Sequence, residues 1–280
     1  MSQGSRVCPG CGALNGIAEP ECYRCGRPLA SARGALAQLM DTPFLATRIL
    51  LGLCLVDFAL LVLDHGGLPW TMFSRFGSPP SGSELLRWGG LVGDVAAKEP
   101  WRYLSAVFVH LDALHLLFNS MALLALGRRT EQRVGGSRMV VAFTVTGIAG
   151  FVASALWYGG MPYGTAGASG ALFGLMGHEI GQLHARRDPR LKDILFQFGA
   201  YTLAFALMFN VNNAAHLGGF VAGYPLGRLF ALERRPWRRA NLYRALAVLC
   251  LAASVASLVL SATSPSWQKL RASEVLYAER

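Results

Sequence analysis

The sequence predicts an all-α membrane protein with seven spanning helices, preceded by a small metal-binding module. Of the 280 residues, 53% are hydrophobic and only 15% are charged, whereas soluble domains carry roughly 25% charged residues. The apolar residues lie in long blocks, as expected of a chain that crosses a bilayer several times. Basic residues cluster between these blocks, and four of the six cysteines lie within the first 25 residues.

Seven apolar segments are predicted to form the spanning helices: residues 44–63, 113–127, 139–158, 167–183, 194–210, 214–232 and 242–262. Several are shorter than the ~20 residues that usually cross a bilayer, which indicates a thin or indented membrane around the protein. The second segment is short, and we expect that it can be extended at its start.

The distribution of positive charge predicts the orientation of the chain. Three loops, after the second, fourth and sixth segments, are rich in arginine, and such loops face the cytoplasm. We therefore expect a multi-pass protein of the plasma or inner membrane, with a cytoplasmic N-terminus, an extracytoplasmic C-terminus and no cleavable signal peptide. The net charge of +10 does not indicate nucleic-acid binding, because no basic stripe with interleaved aromatic residues is present.

The first 30 residues contain two Cys-x-x-Cys-Gly knuckles, formed by Cys8, Cys11, Cys22 and Cys25. Ten residues separate Cys11 from Cys22. Four thiolates in two tight turns suit tetrahedral Zn²⁺ in a closed structural site. Two disulfides or a redox pair are the alternatives, and a reducing cytoplasm disfavours disulfides. We predict a minimal zinc ribbon that depends on its metal for folding. Its role could be structural, or it could bind a cytosolic partner.

Polar residues recur at the starts of the second, fourth and sixth segments, which all run from outside to inside. His115 and Asn119 share one helix face, Ser169 lies in the tetrad Gly-Ala-Ser-Gly, and His216 opens the sixth segment. Because these three segments cross the membrane in the same direction, we expect all four polar side chains to lie near its outer side. Because polar groups are costly in a membrane unless they face the protein interior or a cavity, they predict a functional site.

These residue types suit acyl transfer. Ser169 lies at a helix N-terminus, which favours developing negative charge, and His216 is the base that a serine nucleophile needs. His115, Asn119 and the Ser169 amide can donate hydrogen bonds to an oxyanion. Each residue alone is also compatible with a structural role, in close helix packing or as a polar contact between helices.

No acidic residue is placed to complete a triad. Asp57 lies in the middle of the first segment, and Asp112 is expected to cap the second helix. Glu179 lies ten residues after Ser169, roughly 15 Å along a helix. The residues therefore predict a Ser–His dyad.

Taken together, these motifs resemble the rhomboid family of intramembrane serine proteases, over residues from about 44 to 232. The matching elements are Trp101-Arg102, His110, His115-x-x-x-Asn119, Glu131-x-Arg133, Gly167-x-Ser169-Gly170 and Ala215-His216-x-x-Gly219-x-x-x-Gly223. The resemblance implies a six-helix core, a dyad of Ser169 and His216 in a water-filled cavity, and an oxyanion site at His115 and Asn119. It also implies hydrolysis of peptide bonds in or near the transmembrane helices of substrates, without a catalytic cofactor.

On this basis we predict four parts: a cytoplasmic ribbon in residues 1–30, a linker in residues 31–43, a six-helix protease core in residues 44–232, and a seventh helix with an extracytoplasmic tail in residues 233–280. The sequence departs from the family in two respects. Phe173 stands where many members carry a tyrosine that packs on the base, and the seventh segment is an addition found in only part of the family. The alternatives are a non-proteolytic rhomboid-like protein that binds membrane clients, and a transporter or channel. The transporter is disfavoured because no inverted repeat is detectable.

Overall fold

The structure is a computed structural model that describes residues 5–8, 10–16, 19–27, 29, 44–66, 80–93, 95–158, 164–208, 211–233 and 236–278. Within these residues the only sheet is a two-stranded antiparallel ribbon near the N-terminus, formed by β1 (Ser5–Val7) and β2 (Leu14–Gly16). The predicted linker, in residues 31–43, lies outside the described residues.

All seven predicted apolar segments form helices, which confirms the all-α polytopic fold. The long helices are α1 (Leu45–Asp64), α5 (Ala113–Ala122), α7 (Gly136–Tyr158), α8 (Ser169–Ala185), α9 (Leu191–Met208), α10 (Asn213–Leu232) and α11 (Ala240–Thr263). The shorter helices are α2 (Gly82–Arg87), α3 (Val95–Lys98), α4 (Arg102–Ser105), α6 (Arg128–Val134) and α12 (Ser266–Ala278). A 3₁₀ turn, Pro236–Arg239, precedes α11.

The second membrane helix differs from the prediction at its start. It cannot be extended there, because the Asp112 side chain accepts a hydrogen bond from the His115 backbone N–H at 2.7 Å and so caps the helix. The helix lengthens at its other end instead, where a π-helical turn, Leu123–Gly127, leads directly into α6.

Among the described helices, three are long and apolar enough to cross a bilayer by length and composition alone. They are Leu45–Asp64, Gly136–Tyr158 and the continuous run Ala240–Leu276. The other predicted spans are shorter or more polar, as α8 is with its histidines, glutamate and glutamine. Most residues of α8 are buried inside the bundle.

The outer faces of the long helices are apolar. Large hydrophobic side chains are exposed on α1, α7, α9 and α11, with Leu156 and Phe196 each 80% exposed. Many polar side chains are buried instead, including Arg102, His110, Gln182 and His216. This distribution is the reverse of that in a soluble domain and is the one expected of a protein surrounded by lipid.

Helices α8 and α10 are in direct backbone contact. A Cβ atom added at Gly219, Gly223 or Gly227 of α10 would lie within 2.0 Å of a carbonyl oxygen of α8. In the other direction, a Cβ at Gly177 of α8 would meet the Phe220 carbonyl oxygen at 2.2 Å. Small residues at four-residue spacing allow this close approach.

The motif Glu131-x-Arg133 in α6 has a structural role that the sequence did not predict. The Glu131 carboxylate accepts hydrogen bonds from the backbone N–H groups of Ala46 and Thr47 at 3.0 and 2.9 Å, and from the Thr47 hydroxyl at 2.7 Å. It therefore caps the first turn of α1, whose own N-cap residue, Phe44, provides no side-chain cap. Arg133 pairs with Glu179 of α8.

Replacing Gly223 with alanine tests the helix contact. The added methyl group would lie 1.9 Å from the Gly174 oxygen, so we expect the free energy of unfolding to fall by about 1–3 kcal/mol, the usual cost of overpacking. Gly199→Ala is the matched control, because nothing lies within 4 Å of its Cβ position and alanine favours a helix over glycine by up to about 1 kcal/mol. Reversible unfolding in mixed micelles measures both; equal stability of the two variants would contradict the proposed contact.

Candidate active site

Ser169 and His216 are hydrogen-bonded to each other. The Ser169 Oγ lies 2.9 Å from the His216 Nε2, although 47 residues separate them in sequence. Ser169 is the first residue of α8, and His216 lies in the first turn of α10. The glycine contact between the two helices is what brings their first turns within hydrogen-bonding distance.

The first turn of α10 is fixed by Asn212. Its side-chain oxygen accepts from the Ala215 N–H at 3.0 Å and its backbone oxygen accepts from the His216 N–H at 3.1 Å. Its amide nitrogen donates to the Ser154 hydroxyl at 2.6 Å and to the Thr165 hydroxyl at 3.2 Å. Asn212 thus ties the histidine helix to α7 and to the segment before Ser169. Sequence reasoning missed it, although an asparagine just before a helix is a common N-cap.

The His216 ring is held by stacking. Phe173, one turn after Ser169, packs against it with ring centroids 4.1 Å apart and planes 8° apart. At the position where many family members carry a tyrosine, phenylalanine therefore makes the ring contact with the base, without a hydroxyl group. Among the described residues no carboxylate is hydrogen-bonded to His216.

His115 and Asn119 lie beside the backbone that leads into Ser169. A Cβ added at Gly167 would be 2.7 Å from the His115 Nε2 and 3.7 Å from the Asn119 Nδ2. Gly167 also has a φ of +130°, so a side chain here is excluded by both strain and space. The Asn119 Nδ2 is buried and has no hydrogen-bond partner among the described residues. A buried donor without a partner is costly, and it is available to a ligand.

The three candidate acids lie elsewhere. Asp112 caps α5, as predicted. Glu179 pairs with Arg129 and Arg133 at 2.7 and 3.0 Å. Asp57 is buried in α1. The structure therefore brings together the four side chains that the sequence singled out and joins none of these acids to them.

The four N-terminal cysteines form one cluster. Their sulfur atoms all lie within 4.8 Å of one another, with Cys8 3.7 Å from Cys25 and Cys11 3.6 Å from Cys22. All four are free thiols, and no disulfide joins them. In a tetrahedral site with metal–sulfur bonds of about 2.3 Å, the sulfurs lie about 3.8 Å apart. The cluster therefore fits a four-coordinate metal.

The electrostatics of the cluster also favour a cation. Burial opposes ionisation of Cys22, but two backbone hydrogen bonds and the neighbouring thiols outweigh it and lower the pKa of Cys22 to about 6. Burial and the thiols of Cys8, Cys11 and Cys22 raise the pKa of Cys25 to about 12. Once one thiolate has formed, the next is therefore disfavoured. A bound dication removes this penalty, because metal ligation deprotonates thiols.

The geometry defines a class: a polytopic helical membrane protein in which a serine hydroxyl and a histidine imidazole meet at the start of a short interior helix. Residues 97–233 match the family model of the Rhomboid domain. The chain therefore contains a rhomboid domain, which covers just under half of its length.

Several curated proteins are similar to this chain. "RHOMBOID-like protein 1" of Arabidopsis thaliana is 35% identical over 163 residues, which cover 55% of this chain and 41% of that protein. "Rhomboid protease GluP" of Bacillus subtilis is 28% identical over 227 residues, 80% of this chain and 42% of that protein. "Rhomboid-type serine protease 2" of Emericella nidulans is 31% identical over 145 residues, which cover 50% of this chain and 29% of that protein. The chain thus spans half or less of these relatives' lengths.

Proposed function

We propose that this protein is an intramembrane serine protease that hydrolyses peptide bonds in or near the transmembrane segments of membrane-protein substrates. The observation that carries the proposal is the 2.9 Å hydrogen bond between the Ser169 Oγ and the His216 Nε2. Two relatives support it, one named as a rhomboid protease and the other as a rhomboid-type serine protease.

In the proposed reaction, the His216 Nε2 accepts the Ser169 hydroxyl proton while the Oγ attacks the carbonyl carbon of the scissile bond. The imidazolium then gives that proton to the leaving amine. Water, activated by the same imidazole, hydrolyses the acyl-enzyme and restores the serine. Because no carboxylate among the described residues is hydrogen-bonded to the imidazole, stacking on Phe173 takes over this positioning role.

The carbonyl oxygen becomes negatively charged during the attack. The Asn119 amide, which is buried without a partner, and the His115 imidazole N–H are proposed to stabilise this charge together with the Ser169 backbone N–H. The free N–H groups in the first turn of α8 add a positive end of the helix dipole. These donors are all in place before substrate arrives, so little reorganisation is needed.

The depth of the site fits a substrate within the membrane. The 17 residues of α8 extend about 25 Å at 1.5 Å per residue, less than the roughly 30 Å of a hydrocarbon core. With its basic end near the cytoplasmic surface, α8 would begin below the outer surface. We propose that orientation, with the N-terminus cytoplasmic and the site opening to the extracytoplasmic side, because the arginines that pair with Glu179 lie on the predicted cytoplasmic loop.

Substitution of the dyad tests the reaction. Purified protein is incubated in detergent with a model single-span substrate carrying small residues near its outer end. We expect wild type to cleave it and Ser169→Ala and His216→Ala to reduce the rate at least about 10³-fold, since the two residues act as one unit. Folded yield serves as the control. Cleavage that persists in Ser169→Ala would overturn the mechanism; a wild type that binds but cleaves none of a panel of substrates would favour the client-binding alternative.

A separate substitution tests the oxyanion donors. Asn119→Ala removes the unpaired amide, and we expect kcat to fall by about 10²–10³-fold with little change in KM, because the bond forms only in the transition state. Ser120→Ala, the next residue on a different helix face, is the matched control. An Asn119→Ala enzyme with the kcat of Ser120→Ala would exclude Asn119 from the site.

We also propose that the cysteine cluster binds Zn²⁺, since four thiolates at these distances suit that ion. Zinc would supply the folding energy of a ribbon whose buried core is little more than two cysteines and Ala13. A cytosolic partner of the ribbon stays a prediction, as do the boundaries of the four parts of the chain.

Metal analysis of purified protein tests the zinc site. We expect one zinc per chain in wild type, and its loss in the double variant Cys8→Ser with Cys22→Ser, because both sulfur pairs are then broken. Cys54→Ser with Cys250→Ser, which leaves the ribbon intact, should retain the metal. Stoichiometric zinc in the ribbon variant would contradict the four-cysteine assignment.

A further inference from the structure

The chain after α11 returns to the loop that joins α1 to α5. We name this segment, Ser264 to Ala278, the C-terminal clamp, and we name residues 80–111 the first loop. The clamp lies outside the matched rhomboid domain, which ends at residue 233. It nevertheless contacts the first loop at two places, and Ser261, near the end of α11 just before the clamp, makes a third contact.

The first contact centres on Glu99. One of its carboxylate oxygens accepts from the Arg102 Nε at 2.6 Å, and the other accepts from the hydroxyls of Ser264 and Ser266. Glu99 and Ser264 are each 6% exposed and Arg102 is fully buried. Burial opposes ionisation of Glu99, but these partners outweigh it and hold its pKa below the usual range. The carboxylate thus joins the clamp to a buried arginine.

That arginine organises the first loop. Its guanidinium NH1 donates to the backbone oxygens of Leu86, at the end of α2, and of Gly90, which is 3.4 Å away. Ser264 is therefore linked, through Glu99 and Arg102, to two further backbone positions.

The second contact caps α2. Glu274 of the clamp accepts from the Ser83 N–H at 3.1 Å and from the Ser83 hydroxyl at 2.5 Å. Trp267 stacks under the Arg87 guanidinium at 4.7 Å. At the third contact, the hydroxyls of Ser261 and Ser105 are 3.3 Å apart, at the junction of α11 and α4.

The first loop in turn holds the segment that leads into Ser169. The Leu91 and Thr165 backbones exchange two hydrogen bonds, at 3.0 and 2.8 Å, and the Gly167 N–H donates to the Ala106 oxygen at 2.8 Å. Gly167 is the residue against which the His115 ring lies. A shift of the first loop therefore moves the backbone beside the proposed oxyanion donors.

We propose that the C-terminal clamp is a positioning element for the catalytic site, in which Ser264, Ser266 and Glu274 hold the first loop and, through it, residues 165–167 beside Ser169. The clamp residues touch no reacting atom and act only through this backbone. The inference rests on the proposed protease function for its kinetic consequence, but the mechanical link stands on the contacts alone. Misplacement by about 1 Å can cost on the order of 10²-fold in rate.

Two variants of the full-length protein test the clamp: Glu274→Gln, and Ser264→Ala combined with Ser266→Ala. Arg271→Gln, an exposed change on the same helix, is the matched control. Ser264→Thr combined with Ser266→Thr keeps both hydroxyls and should restore the wild-type values. The readouts are kcat and KM on the model substrate, and hydrogen exchange of the backbone amides of residues 165 and 167.

In both clamp variants we expect kcat to fall about tenfold with KM changed less than twofold. The amides of Thr165 and Gly167 should exchange faster, whereas those of α8 and α10 should be unchanged. Exchange and kcat equal to those of Arg271→Gln would overturn the inference, as would faster exchange throughout the bundle, which indicates general destabilisation. If wild type cleaves nothing, the protease proposal fails while the exchange comparison still decides whether the clamp holds this segment.

Discussion

Three glycines of α10 lie against backbone oxygens of α8 with no space for a side-chain carbon between them. Helices in a membrane have no hydrophobic driving force toward each other, so close packing of small residues is a main source of their association. The contact also fixes where the two first turns meet. Ser169 is one residue before Gly170, and His216 is three residues before Gly219, so the register of the glycines sets the distance between the hydroxyl and the imidazole.

The same bundle also keeps polar side chains away from lipid, where their exposure would be unfavourable. Asn119, His216 and Arg102 are buried among helices whose outer faces are apolar, and the His216 and Arg102 side chains make hydrogen bonds within the protein. The Asn119 Nδ2 is an exception beside Ser169. An unpaired buried donor is unfavourable in the free protein, and the proposed oxyanion would relieve it. The site is thus stabilised by its surroundings and keeps one unpaired donor, the Asn119 Nδ2, to which a substrate oxygen can bind.

Local pattern was enough to predict much of this. Apolar runs gave the seven helices, loop charges grouped Ser169, His216, His115 and Asn119 on one side, and the Cys-x-x-Cys spacing gave the cysteine cluster. Contacts between distant segments could not be predicted. Glu131 caps a helix 84 residues earlier, and Glu99 meets Ser264 from 165 residues away. Neither contact is indicated by periodicity or by a motif, because each depends on how the helices are arranged in three dimensions.

In the proposed reaction the Ser169 hydroxyl is an activated nucleophile because His216 accepts its proton. Covalent reaction with a fluorophosphonate, located by mass spectrometry of the purified protein, tests this activation without any assumption about substrate. We expect one adduct per chain on Ser169 in wild type, and a rate at least about 10²-fold lower in His216→Ala. An unlabelled Ser169 in folded wild-type protein, or equal labelling with and without His216, would contradict it.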